Sequence, residues 1–248
     1  MITFNDYMEV VGFIDNLHES FYAEFLDFLY ESETEAEPLI ERKIASGNMT
    51  QPWAKELKTE FNIANVDKLA PVVYKTIIDE YIEPIKKEYE RALKAAAEKD
   101  CKVLVSIKSQ KSFISKLNRG KKPERITDVI RGAILCPNDE IVQKVLRNLQ
   151  KKTAVAEFET KVRGENDWGY WGANHLLIEL SNGVLAEIQV MTKTAWTYKD
   201  AAHQIYDKYR EELSKNKNLL NDPTVQKEIK RSKMLFDRGF MGKKGIRV

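Results

Sequence analysis

The chain has 248 residues, 31% charged and 43% hydrophobic, enough for one large core or two modest ones and too apolar for a disordered chain. Two cysteines, Cys101 and Cys136, are too few for a disulfide framework or a thiolate metal site, so a reducing cytoplasm is expected. The apolar runs fall far short of a membrane span, and "MITFNDYMEVVGF" has no basic residue ahead of an apolar stretch, so no signal peptide is expected.

The net charge of +2 conceals an asymmetry. Residues 1–41 hold eleven Asp or Glu and no Lys or Arg, leaving 40 basic against 27 acidic residues in the remainder. The basic surplus is densest in residues 102–125 and 227–248, stretches that suit phosphate-bearing partners or form solvated helix faces. The acidic segment reads either as a solubilising cap that balances charge or as a screen against anionic ligands.

The first hundred residues read as helix throughout. "DYMEVVGFIDNLHESFYAEFLDFLYE" has helical apolar spacing, and "YIEPIKKEYERALKAAAEKD" combines good helix formers with i,i+4 charge pairs. Pro52, Pro71 and Pro84 mark helix starts or kinks. Beyond Asp100 the pattern changes. "KVLVSIK" predicts a strand, "SQKSFISKLNR" a helix stopped by Gly120, "VIRGAILC" a strand and "NDEIVQKVLRNLQKK" a helix capped by Asn or Asp. A strand "TAVAEFETKVR", a hairpin and a helix from about Thr194 to Lys215 follow, and Asp222-Pro223 opens the last helix. Strands interleaved with helices predict an α+β fold, a mixed sheet covered by helices.

In the hairpin, Asn182-Gly183 favours a two-residue turn. That turn sets residues whose numbers sum to 365 opposite one another, so Glu187 faces Ile178 and shares a sheet face with Leu176, Leu180 and Leu185. Asn174 falls on that face and His175 points away. A carboxylate among leucines needs a partner, either a basic neighbour or a metal ion.

Lys108, Ser112 and Lys116 are spaced i, i+4, i+8, and Arg119 extends the stripe. Two ammoniums and a hydroxyl at a helix start suit a polyphosphate, aided by free N–H groups and the helix dipole; the alternative is a solvent-facing stripe. Asp128 at the mouth of a strand either caps a turn or joins Glu187 in holding Mg²⁺, which takes one or two carboxylates plus substrate phosphates. Arg131 binds phosphate or balances Asp128. "NDWGYWGANH" packs aromatic rings that either stack on a base or fill the core.

Taken in series, Lys108-x3-Ser112-x3-Lys116, Asp128 before a strand, Gly169-Tyr170, "EIQVMT" and "AAHQIYDKYR" resemble the synthetase domain of the RelA/SpoT family over roughly residues 100 to 212. The resemblance implies a nucleotidyltransferase-like mixed sheet and a division into a helical region 1–100, a synthetase domain 101–216 and a basic C-terminal helix or tail 217–248. It implies transfer of pyrophosphate from ATP to a ribose 3′ hydroxyl, usually of GDP or GTP, yielding an alarmone. Lys108, Ser112, Lys116 and Arg131 would hold the ATP phosphates. Asp128 and Glu187 would bind Mg²⁺, with Glu187 drawing the proton from the attacking hydroxyl. Tyr170 would stack on the acceptor base, with Asn174, Lys161 and Arg163 on the acceptor side.

The departures bear on substrate. The family's arginine two positions before the first lysine is Ser106 here. Asp-x-x-Gly-x-Arg becomes Asp128-Val-Ile-Arg131-Gly132-Ala133, and Gly-Tyr-x-Ser-x-His ends in Asn174. The scattered His18, His175 and His203 give no sign of the hydrolase domain of bifunctional members. Three readings follow: a small-nucleotide pyrophosphokinase making a guanosine or adenosine alarmone, a toxin-like enzyme modifying the tRNA 3′ end, or a non-catalytic nucleotide- or RNA-binding module.

Overall fold

Branched apolar residues alternating along five segments build the strands β1 (Lys102–Ile107), β2 (Ile130–Cys136), β3 (Ala154–Thr160), β4 (Asn174–Glu179) and β5 (Leu185–Thr192). They form one sheet in the order β1-β2-β5-β4-β3. β2 and β5 run parallel, and the other neighbours are antiparallel. This is the mixed sheet the sequence predicts. The structure is a computed structural model and describes residues 50–54, 66–160, 164 and 166–240. The chain divides between Gly47 and Asn48 into two units, and all that follows concerns the second. The acidic segment with its expected helices, Lys161, Arg163 and residues 241–248 lie outside the described residues.

The helices are α1 (Val66–Thr76), α2 (Lys86–Ala96), α3 (Gln110–Asn118), α4 (Asp139–Lys152), α5 (Lys193–Lys215) and α6 (Pro223–Phe240). Local chemistry sets where they begin. The side chains of Ser109, Asn138 and Thr192 accept from the N–H groups of Ser112, Ile141 and Ala195. Asp222 accepts from Thr224 and Val225 ahead of α6. Pro71 lies within α1, whereas Pro84 marks the break between a π-helical turn, Ile77–Ile82, and α2.

Composition changes at residue 100, but packing does not. α2 lies on β1, β2 and α4, and its buried Tyr89 donates from its hydroxyl to the Glu187 carbonyl at 2.6 Å. Ile130, Ile134, Ile188, Val190, Leu176 and Ile178 are buried on the even-numbered face. The odd-numbered face carries Ala133, Leu135 and Met191, which pack with Ala195 of α5.

The hairpin corrects the expected register. Residues summing to 364 pair, so Glu187 opposes Leu177, and His175 opposes Gln189. A two-residue type I′ turn requires positive φ at both central residues. Here Gly183 has φ +81°, and among the described residues no residue other than glycine has positive φ. The loop therefore has three residues, Ser181 to Gly183, closed by Leu180 N–H to the Val184 carbonyl at 2.9 Å. Glu88 of α2 reinforces it, accepting from the Ser181 N–H at 3.0 Å and the Ser181 hydroxyl at 2.6 Å. One extra residue exchanges the faces of β4. His175 consequently shares the face of Glu187, while Asn174 turns away and accepts from the Thr160 hydroxyl at 2.9 Å.

Gly132 sets how closely α2 approaches the sheet. A Cβ there would lie 2.4 Å from Leu93 Cδ1, 2.7 Å from the Tyr89 hydroxyl and 3.1 Å from the Leu104 carbonyl oxygen. Gly132→Ala is expected to destabilise the fold by about 1–3 kcal/mol, read as a lowered urea midpoint with unchanged slope. An unchanged midpoint would mean that α2 yields freely.

Candidate active site

Asp128 precedes β2 and is 7% exposed. One of its oxygens, Oδ2, receives two ammoniums: Lys108 Nζ at 2.8 Å and Lys116 Nζ at 2.9 Å. The two lysines reach it differently from the expected stripe. Lys108 stands before the N-cap Ser109, in the β1–α3 connection, and only Lys116 lies on the helix. The backbone N–H of Lys108 donates to the Val129 carbonyl at 2.8 Å, which fixes the connection against the strand entry. Burial raises the Asp128 carboxyl, but Lys116 and Lys108 outweigh it and hold the group below the usual carboxylate range. Burial also depresses the Lys108 ammonium, and Asp128 offsets this only in part. Ser112 faces the N-cap, 3.0 Å from the Ser109 hydroxyl, and its N–H, one of the helix-start donors expected to be free, is taken by the cap.

Glu187 lies half-buried on β5. Its Oε1 accepts from Gln189 Nε2 at 2.9 Å and lies 4.0 Å from His175 Nδ1. The other ring nitrogen of His175 meets the Tyr170 hydroxyl. Burial first, then Glu187 and Glu159, push the Tyr170 phenol far up, so it is a neutral group. Arg131 is the cross-strand neighbour of Glu187 on one side and of Ser106 on the other. It donates from Nε to the Ser106 hydroxyl at 3.3 Å. Two departures from the family pattern therefore meet in one contact.

A cavity of about 780 Å³ brings these residues together. Lys108, Ser112, Lys116, Arg119, Asp128, Arg131, Tyr170 and Glu187 all line it, and Asn174 does not. Tyr170 and Trp168 both border the cavity, but Tyr170 is only half-buried, whereas Trp168 and Trp171 are buried in the core. Trp168 is buried against Ile205, Val225 and Ile229, and Trp171 against Ala202 and Phe236. Their loop is tied to α6 by Ser232 Oγ donating to the Trp168 carbonyl at 2.8 Å and by Trp171 Nε1 donating to Asp237 at 3.2 Å. The basic run of residues 227–248 is thus, as far as residue 240, a helix that covers the aromatic loop.

Sequence reasoning missed one face of α5. Trp196, Lys199, His203 and Arg210 line the same cavity at spacings of three, four and seven, a helical stripe that was legible in "AWTYKDAAHQIYDKYR". His203 and Arg210 are held by Asp207, at 3.1 and 3.0 Å. Lys199 is 9% exposed, and its Nζ sits 3.9 Å from the centre of the Trp196 ring.

No group of three or more His, Cys, Asp or Glu side chains suited to a metal gathers among the described residues. The residues nevertheless fit a Mg²⁺ ion completed by substrate. Asp128 Oδ1 is buried with no hydrogen-bond partner among the described residues, and Glu187 opens on the same cavity. Two carboxylates plus phosphate and water oxygens are the usual environment of that ion.

Burial lowers the Lys199 ammonium from its ordinary value to about 8, with Asp200 and Glu187 opposing that fall and Arg131 adding to it. A base depressed by folding destabilises the fold where it is protonated in both states, below pH about 8, and stops doing so as pH rises to its unfolded value of about 10.4. Lys199→Met should therefore raise the unfolding free energy at pH 7 by up to about 3 kcal/mol, and the gain should fade by pH 10. Urea unfolding at the two pH values checks this, and a variant less stable than the parent at pH 7 would contradict it.

No protein-family model and no curated protein matches the chain. Similarity is found among solved structures. A GTP pyrophosphokinase family protein from Streptococcus pneumoniae has a TM-score of 0.51 at 16% identity, covering 68% of this chain and 89% of that one. Small alarmone synthetase 1 from Bacillus subtilis, bound to its product pppGpp, has a TM-score of 0.46 at 17% identity, covering 71% and 99%. Small alarmone synthetase 2 from Bacillus subtilis has 0.42 at 22%, covering 66% and 88%. The fold assignment rests on the Streptococcus pneumoniae protein: over 68% of its length the chain has the fold of that GTP pyrophosphokinase family protein.

Proposed function

We propose that the chain is a pyrophosphokinase that moves a pyrophosphoryl group from ATP to the ribose 3′ hydroxyl of a purine nucleotide, guanosine or adenosine. One observation carries the reading: both carboxylates, the lysines around Asp128 and the Tyr170 ring line a single cavity. In the reaction the 3′ oxygen attacks the β-phosphorus of ATP, the bond from that phosphorus to the α–β bridging oxygen breaks, and AMP leaves. Bound Mg²⁺, held by Asp128 and Glu187, would supply charge neutralisation at the phosphoryl oxygens.

The residues of this chain do the rest. Lys108 and Lys116 turn from Asp128 toward donor phosphoryl oxygens, which exposes the carboxylate. Ser112 and Arg119 border the same wall. Glu187 takes the proton of the attacking hydroxyl, with Gln189 fixing its carboxyl orientation. Tyr170, tied to His175, offers its ring to the acceptor base. Arg131 emerges beside Ser106, which supports the reading that it replaces the arginine missing at that position.

The second reading, a module that binds a nucleotide without transferring anything, is favoured by the two lysines already engaged with Asp128. ATP labelled at the γ position, incubated with Mg²⁺ and GDP, GTP, AMP or tRNA, separates the two. Label should appear in a nucleotide, and Glu187→Gln should cut the rate by about 100- to 10,000-fold with stability little changed. Asp128→Asn is a poorer probe, because it strands the buried Lys108 ammonium and costs stability as well as activity. Label in no acceptor, with nucleotide still bound, would establish the non-catalytic reading instead.

A further inference from the structure

Lys199 is a buried cation with no counter-ion among the described residues. His203 and Arg210, its neighbours along the lining face of α5, share the carboxylate of Asp207. Lys199 has no carboxylate within 4.0 Å among the described residues, only the face of Trp196. A cation–π contact offsets only part of what burying an unpaired ammonium costs. Glu187 and Asp200 attract it from a distance, while Arg131 repels it. Such a group is complete only with an anion in the cavity.

Position decides which anion. Lys108 and Lys116, on and beside α3, gather at Asp128. Lys199 is on α5, next to Trp196, which packs on the same cluster as Tyr170. This is the side of the cavity assigned above to the acceptor. We propose that Lys199 selects a phosphorylated acceptor, its ammonium binding a 5′-phosphoryl oxygen of the acceptor nucleotide so that the bare nucleoside is disfavoured. The assignment rests on the transfer reading for the word acceptor, but the binding preference it predicts does not require turnover.

The full chain, Lys199→Met and Lys199→Arg are compared in two arms. In the first, without ATP, calorimetric titration measures GDP against guanosine and AMP against adenosine. The parent should bind at least one nucleotide about 10- to 100-fold more tightly than its nucleoside. Lys199→Met should bring that ratio to about threefold or less, and Lys199→Arg should restore part of it. In the second, Lys199→Met should raise the KM for the acceptor and leave that for ATP unchanged. A parent that transfers no label sinks the transfer reading alone, since the ratio in the first arm still decides Lys199. The inference is overturned if Lys199→Met keeps the parent's ratio, if the parent prefers neither form, or if the KM for ATP rises instead.

Discussion

The ion cluster at Asp128 is the constraint on which the site depends. A carboxylate 7% exposed takes two ammoniums on one oxygen, and one of those ammoniums is itself only 4% exposed. Burying charges to that degree is costly unless they are paired. The cluster therefore fixes three pieces of chain at once: the β1–α3 connection through Lys108, the body of α3 through Lys116, and the entry to β2 through Asp128. Everything in the cavity is placed relative to that junction. It also leaves Asp128 Oδ1 facing no partner among the described residues, an arrangement suited to further ligands rather than to a closed structural salt bridge.

The second constraint is the sheet register. Arg131 stands opposite Glu187 because β2 and β5 run parallel in that alignment, and Ser106 stands opposite Arg131 across β1. A row of cavity-lining side chains thus crosses the sheet at one level. β4 contributes to this face through His175, and only because the hairpin loop has three residues. Tyr89 and Glu88 of α2 hold β5 and that loop from the side, so a helix that the sequence composition assigns to another region determines which residues reach the cavity.

Much of this was legible from local pattern. The strands of the sheet and the caps at Asn138 and Asp222 follow from alternation and capping chemistry, while the resemblance, not local pattern, put Asp128, Glu187, Lys108 and Lys116 in one site, and the four do line one cavity. What was not legible depends on contacts distant in sequence. Asn182-Gly183 reads as a two-residue turn until Glu88 is known to hold Ser181, and a single residue of loop length then exchanges Asn174 for His175. The tryptophans at 168 and 171 read as exposed or buried until α6 is seen to cover them. Lys199 was discoverable from the helical spacing of Trp196, His203 and Arg210, a signal that the apolar periodicity of α5 hides.

The proposed function turns on an exchange: lysines that hold Asp128 in the free protein would move to donor phosphates, leaving Asp128 and Glu187 as the residues that would hold the metal. Mn²⁺, used in place of Mg²⁺ and followed by electron paramagnetic resonance, tests it directly with and without a non-hydrolysable ATP analogue. The exchange predicts that Mn²⁺ binds the protein at least about tenfold more tightly when the analogue is present than the analogue's own affinity for Mn²⁺ explains, and that Glu187→Gln loses this gain. Mn²⁺ affinity that is the same with and without the analogue, or that survives in Glu187→Gln, would contradict it.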